Sequence, residues 1–236
     1  MRLVVGLIYV FSCLGIAQDL PKLRLVSEVM PPYQYYDGEQ VVGKNIEQLK
    51  KVFTQSNLPF PGVELYPWAR SFKIASEQQN TFIFPIVRTP EREKQFTWVA
   101  PMATATYSLF GLKSREDIQL KREEDVAAFK IAVTKDDITH KYFKKLGFEE
   151  GEHFLISSDW LLIEKLFFND KLGLMVSTHA HFAVQANRNN IDVNLYEEKL
   201  TLSDLSLRYY LAANKKTTPQ LINRIKQAFP KQPIRY

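Results

Sequence analysis

The sequence predicts an α/β protein made of two similar units with a cleft between them. Strand-like and helix-like segments alternate along the chain, and the alternation stops and begins again near the middle. A length of 236 residues suits two lobes of about 100 residues each. Hydrophobic content of 45% with charged content of 24% is ordinary for a globular protein. No low-complexity tract, internal repeat or like-charge block interrupts it, so disorder is not expected.

The elements follow in order. Met1-Arg2 and the apolar stretch Leu3 to Ile16 form a positive start and a run too short to span a bilayer, which predicts a cleaved export signal over residues 1–17 and a periplasmic protein. Gly15 and Ala17 place small residues three and one before a cut ahead of Gln18. Cys13, the one cysteine, follows Val10-Phe11-Ser12, a poor lipoprotein box because Phe11 is bulky where a small residue is expected. The mature chain then has no cysteine and needs neither a disulfide nor a metal staple, so its core must hold it. No later run of about 18 apolar residues predicts a membrane span. Cleavage removes Arg2 and lowers the formal charge of +5 by one. The remaining excess is scattered, with Lys144-Lys145 and Lys215-Lys216 as isolated pairs, so no nucleic-acid partner is expected.

Leu23 to Val26 alternates as a strand and leads into Met30-Pro31-Pro32-Tyr33, where the prolines forbid further pairing. Gly43 precedes Ile46, Leu49 and Phe53 at helical spacing, which predicts a helix over residues 45–55. A strand over residues 63–66, a helix around Phe72, Ile74 and Ala75, and a strand over residues 81–87 complete a mostly parallel first sheet. Tyr107 to Leu112 is a further strand. The second unit opens with Lys130-Ile131-Ala132-Val133, then a helix after Asp136-Asp137 that stops near Gly147, an apolar helix over residues 160–168 and a buried strand over residues 172–176. A strand over residues 205–212 and a helix over residues 219–229 close the pattern. In open α/β sheets ligands bind beyond the carboxyl ends of the strands. Those ends here are the loops at 27–36, 66–70, 88–92, 134–139 and 177–181.

The segment Arg88-Thr89-Pro90-Glu91-Arg92-Glu93 carries the sharpest chemical signal. Thr89 reads as a helix N-cap and Pro90 as the first helical residue, which puts Arg92 where the positive end of the helix dipole disfavours a cation. Either Glu91 or Glu93 neutralises it on a solvated surface, or a ligand carboxylate binds it through two parallel hydrogen bonds.

Taken together, Leu23-Arg24-Leu25-Val26 running into Pro31-Pro32-Tyr33-Gln34-Tyr35, the Gly43 helix, Thr89-Pro90-Glu91-Arg92-Glu93 with Phe96 and Pro101, and Lys130-Ile131-Ala132-Val133 resemble the amino-acid-type extracellular solute-binding proteins, family 3, of ABC importers, in divergent form. The resemblance covers about Leu23 to Phe229. It implies a two-lobed periplasmic-binding-protein-like fold of type II, with each lobe a mostly parallel sheet flanked by helices, joined by two crossing strands and closing on a ligand. Lobe 1 would be residues 18–106 with 204–236, and lobe 2 residues 107–203.

Position by position, the resemblance makes Arg92 the clamp on the ligand's carboxylate, Glu28 an acid that reads the ligand's side chain, and Trp68 an aromatic that stacks on it. Arg70 and Arg88 are further cations at that rim, which either bind an anionic group or pair with Glu64 and Glu91. One of the tyrosines Tyr33, Tyr35 and Tyr36 is expected to point into the cleft, with Tyr33 the candidate. The departures matter too. Val87 and Pro85 stand where hydroxyl contacts are usual, Asp136-Asp137-Ile138 replaces a glycine with small hydroxyl residues at a helix start, and Thr178 replaces the acid that holds an α-ammonium. The expected ligand is therefore a small polar molecule with one anionic end near Arg92 and a cationic end near Asp136, not a standard α-amino acid. The expected protein is a monomer without cofactor, working with an ABC permease or a membrane sensor.

Two other chemistries compete. His179-Ala180-His181, read as an extended segment, puts two imidazoles on one side at metal-binding spacing, but no third ligand is evident. His140 and His153 read as surface residues. Glu28 with Asp136 or Asp137 can form an acid/base pair like that of the dehydratases similar to this family, although one of those aspartates is expected simply to cap its helix. Phosphate-loop, nucleophile-elbow and His-Glu-x-x-His motifs are absent.

Overall fold

The computed structural model describes residues 22–235. The expected export signal and Cys13 lie outside them.

The first unit begins with β1 (Arg24–Ser27), a short hairpin of β2 (Tyr35–Asp37) and β3 (Gln40–Val42), and α1 (Lys44–Gln55). Helix α1 turns Ile46, Leu49, Val52 and Phe53 inward and leaves Glu47, Lys50 and Lys51 in water, the two-sided pattern its spacing demands. β4 (Glu64–Leu65), α2 (Trp68–Glu77) and β5 (Thr81–Val87) follow. β5 is buried along its whole length, as a strand covered on both faces must be. β1 pairs in parallel with both β4 and β5, so the three form the parallel end of the sheet, with β4 at its edge.

After the single turn α3 (Pro90–Glu93) comes β6 (Phe96–Leu112), which leaves the first unit for the second. There β7 (Ile131–Thr134), α4 (Ile138–Lys145), β8 (Phe154–Ser157), α5 (Trp160–Phe168), β9 (Met175–Ser177) and α6 (His179–Arg188) assemble. β7 and β8 are parallel, while β9 runs antiparallel to the far half of β6. β10 (Tyr196–Asn214) returns antiparallel to β6 and then β5, before α7 (Pro219–Gln227) and β11 (Ile234–Arg235).

Each unit has its own core. The first gathers Leu25, Ile46, Leu49, Phe53, Phe82, Phe84, Leu211 and Ile225, and the second Leu109, Val126, Ile131, Val133, Phe143, Phe154, Leu174 and Val176. Only β6 and β10 thread both. Their ladder runs from Tyr196 opposite Leu112 to Asn214 opposite Phe96, and slips between Leu202↔Tyr107 and Ser206↔Thr106. Ser203, Asp204 and Leu205 loop out at that slip, and a bulge there bends the ribbon where it passes from one core to the other.

Several expectations change. The strands over residues 107–112 and 205–212 are segments of these two long crossing strands. The hairpin β2–β3 and strand β8 were not expected. The segment at 179–181 is the first turn of α6, not an extended strand, because the hydroxyl of Thr178 caps it by accepting the His181 N–H at 3.2 Å. His140 is buried, not on the surface, because α4 turns that face onto Phe154.

Gly43 holds φ +121°, and a Cβ there would lie 2.4 Å from the Tyr33 carbonyl oxygen. Gly43→Ala should therefore cost more than about 2 kcal/mol, read as a lower midpoint in thermal or denaturant unfolding. An unchanged midpoint would show that the loop from Pro32 to Tyr33 moves aside freely.

Candidate functional site

Three connected cavities run between the units and meet at Glu28, which follows β1 and lines all of them. The innermost is walled by Trp68, Pro85, Val87, Arg92 and Tyr209 from the first unit, Asp137 and Ile138 from the second, and Tyr107 from the crossing strand β6. The next is walled by Met30, Tyr107, Thr134, Asp137, Thr139, Trp160 and His181. The third opens outward past Tyr66 and Trp160.

Arg92 is third in α3, with Thr89 at the N-cap position and Pro90 first. It is only 2% exposed. Neither Glu91 nor Glu93 forms an ion pair with it; Glu93 pairs with Arg88 instead. The guanidinium sits 5.5 Å over the ring of Trp68 and 5.4 Å over that of Phe72, so two aromatic faces stabilise a charge that the helix does not. Its Nη1 donates to the Val87 carbonyl at 3.0 Å, while Nε finds no acceptor in the protein. Burial lowers its pKa from the ordinary value, and Asp137 across the cleft is the largest charge opposing that.

Asp137 caps α4, accepting the His140 N–H at 2.8 Å and the Thr139 hydroxyl at 2.7 Å. Burial pushes its carboxyl up to about 6 against those hydrogen bonds and Arg92. Glu28 is pushed further, to about 8, by burial and then by Asp137, with Arg92 opposing. One cation thus faces two carboxyl groups that hold protons far above their ordinary range. The hydroxyls of Tyr107 and Tyr209 are 2.7 Å apart and tie β6 to β10 at the cavity wall.

A sequence profile of the bacterial extracellular solute-binding proteins, family 3, matches residues 23–232. The chain belongs to that family. Among curated proteins no sequence matches it. Of solved structures, a histidine kinase sensor domain with similarity to periplasmic binding proteins has a TM-score of 0.73 at 17% identity over 88% of both chains. An ancestral arginine-binding protein bound to arginine gives 0.72 at 18% identity over 87% of this chain and 89% of that one. The arginine-, lysine-, histidine-binding protein ArtJ of Geobacillus stearothermophilus gives 0.70 at 16% identity over 88% of this chain and 87% of that one. At such identities these likenesses establish the periplasmic-binding-protein-like α/β fold.

Of the residues singled out in this family member's sequence, Glu28, Trp68, Arg92 and Asp137 converge on the cavities. The others lie elsewhere. Asp136 has φ +60° and a side chain 60% exposed, 3.9 Å from the His140 ring, because this left-handed turn swings it outward and leaves Asp137 as the cap. Arg88 is on the surface with Glu93, over Trp98. Arg70 is exposed, 4.3 Å over the Tyr66 ring, and Glu64 pairs with Arg24 instead. Thr178 caps α6, in hydrogen-bonding contact with the fully buried Tyr33, and neither lines these three cavities.

His179 pairs with Glu198 at 2.8 Å, while His181 is buried under Trp160, 5.2 Å between rings. Facing different surroundings, the two imidazoles cannot share a metal. Burial lowers His181 to about 3, a neutral imidazole, and raises its neighbour Glu164 to about 7.

Sequence reasoning missed Tyr107, Trp160 and Tyr209, and weighed His181 only as a metal ligand. Trp160 and His181 each follow a strand end, as ligand-facing residues do in such folds, and this was the usable signal.

The Glu28 shift has a definite sign. The folded protein keeps this proton to about pH 8, whereas an unfolded glutamate loses it near ~4.3, so stability contributed here falls as pH rises through that window. His181 works oppositely, losing stability as pH drops below ~6.5. Denaturant unfolding of wild type and Glu28→Gln isolates the first effect. The variant should gain on wild type by on the order of a few kcal/mol between about pH 5 and pH 8, and a pH-independent difference would refute the assignment.

Proposed function

We propose that this family member is a periplasmic receptor, exported with cleavage ahead of Gln18, that closes as a monomer over a small zwitterionic or carboxylate-bearing solute for ABC-type uptake. Residues 18–106 with 204–236 and residues 107–203 are the two lobes, hinged at the slip in the β6–β10 ladder. The ligand's anionic group meets Arg92, and its cationic group meets Glu28 and Asp137. The observation that carries this is a buried guanidinium with Nε unsatisfied, in a crevice that it shares with two carboxyl groups from opposite units. Such a group retains hydrogen-bonding capacity for a ligand carboxylate, and ligand binding repays the burial of its charge.

Asp137 takes the place proposed here for the ligand's cation, since Asp136 faces water. The likeness to a histidine kinase sensor domain supports one alternative, sensing through a separate membrane partner, at the level of fold. The raised carboxyl pair Glu28 and Asp137 keeps open the dehydratase-like reading, for which conversion of a bound compound would be the evidence.

Thermal-shift screening of amino acids, small amines and small carboxylates tests the binding role. A ligand at 100 times its Kd should add about 2.7 kcal/mol of stability. Calorimetry on Arg92→Lys, which keeps the charge but loses the fork, should then show affinity for carboxylates down by about tenfold or more. Unchanged affinity would remove Arg92 from the site.

A further inference from the structure

The two inner cavities are small, each about 40 Å³. That holds a carboxylate, an ammonium or a few waters, and little more. The outer cavity that joins them at Glu28 is about 260 Å³, so most of any ligand that reaches Arg92 or Asp137 has to lie there.

Its walls come from both units and are mostly apolar, with Glu28, Ser158 and Asp159 the polar exceptions. Val29, Leu65, Tyr66 and Pro67 form one side, and Trp160 with Leu161 forms the other. Both rings are held still. The Tyr66 hydroxyl donates to Glu64 at 2.7 Å, and Arg70 covers one face of its ring at 4.3 Å. Trp160 is the first residue of α5, whose cap Asp159 accepts the Leu161 N–H at 2.9 Å. Its indole stacks on the buried His181 with 30° between planes. A rigid aromatic wall costs little side-chain entropy to order, which suits it to grip a flat apolar group. Leu161 beside it is 45% exposed, an apolar residue at a mouth where a solvated rim has no use for one. Charge is confined to Glu28 at the inner end and to Asp159, whose carboxylate is engaged as a cap.

We propose that this outer cavity is a tail subsite, and that the ligand is a charged head carrying an aromatic ring, the ring seated between Tyr66 and Trp160 while the head reaches Glu28, Asp137 and Arg92. The inference rests on the receptor reading above and narrows its ligand to aromatic amines, aromatic carboxylates or aromatic zwitterions. It also gives Trp160, which walls the inner cavity beside Asp137 as well, a second contact: a wall on the second lobe that meets the ring when the lobes are together.

Three matched pairs of probes test it by calorimetry: L-phenylalanine against L-alanine, 3-phenylpropionate against propionate, and 2-phenylethylamine against ethylamine. In whichever pair binds, the ring should tighten binding by about tenfold or more. Tyr66→Ala, which alters only the outer wall, should erase most of that gain while leaving the ringless partner's affinity within about twofold; Trp160→Ala should also erase the gain, and Trp160→Phe should restore most of it. Tyr66→Ala serves as the independent variant if Trp160→Ala unfolds. Indole fluorescence should shift on binding of the ring-bearing probe in wild type, with the shift reduced in Trp160→Phe. Equal affinity within a pair that does bind overturns the tail subsite and leaves the receptor reading standing. Binding by none of the six overturns the ring-bearing ligand, while the receptor reading falls only if the broader thermal-shift screen is silent too. A ring-dependent gain that survives both Trp160→Ala and Tyr66→Ala places the ring elsewhere and overturns the subsite.

Discussion

A buried guanidinium facing carboxyl groups across a gap is the constraint around which this molecule is arranged. Arg92 is withdrawn from bulk water where it sits, and its own helix opposes its charge. Two aromatic faces and one carbonyl from its own unit offset part of the cost. The main opposing charge comes from Asp137, on the other unit. The electrostatic balance of the crevice therefore depends on how the two units stand relative to each other. A solute that brings an anion to Arg92 and a cation to Glu28 and Asp137 biases that balance, which is the differential interaction a closing motion requires.

The crossing strands make such a motion mechanically plain. β6 and β10 are continuous across both cores, but their ladder slips at Tyr107 and Leu202, beside the Tyr107–Tyr209 hydroxyl pair that lines the crevice. The proposed closure bends the ribbon at this slip, where Leu202 and Leu205 stay anchored in the second core. The hydroxyl pair and the cluster of Val87, Ala103, Ala105 and Tyr209 keep the bend from becoming loose. The proposed hinge and the site share Tyr107 and Tyr209, so a group that fills the crevice also touches the crossing strands.

Much of the fold was legible because burial is written into residue type. The unbroken apolar run over residues 81–87 could only be a covered strand, and the spacing of Ile46, Leu49 and Phe53 could only be a helix face. The long strands were harder to see: Pro101, Thr104 and Thr106 in one, and Ser203-Asp204 in the other, interrupt the apolar pattern that defines a strand locally. Their continuity comes from pairing with each other, a tertiary fact. In the crevice, Arg92 was legible because its position violated a local rule without local compensation. The choice between Asp136 and Asp137 was not, since it hangs on one left-handed residue that turns the first carboxylate outward. Arg70 and Arg88 misled for the same reason, because adjacency in sequence does not say which neighbour faces in.

The departures from the family pattern form one coherent rearrangement. At the start of α6, where the resemblance places an acid, Thr178 caps the helix with a neutral hydroxyl. At the start of α4, where it places small residues with free amides, Asp137 occupies the amide of His140 with its own carboxylate. A free ligand anion at α4 would meet that carboxylate instead of open amides, while Val87 and Pro85 remove the hydroxyls that would have supported it on the first lobe. What remains for an anion is Arg92 alone, with aromatic rings around it. Glu28, beside Asp137 and lining all three cavities, holds its proton up to about pH 8 and gives it up most readily to a guest that brings a positive charge. The charge pattern thus favours a guest whose positive end is at least as strongly held as its negative one.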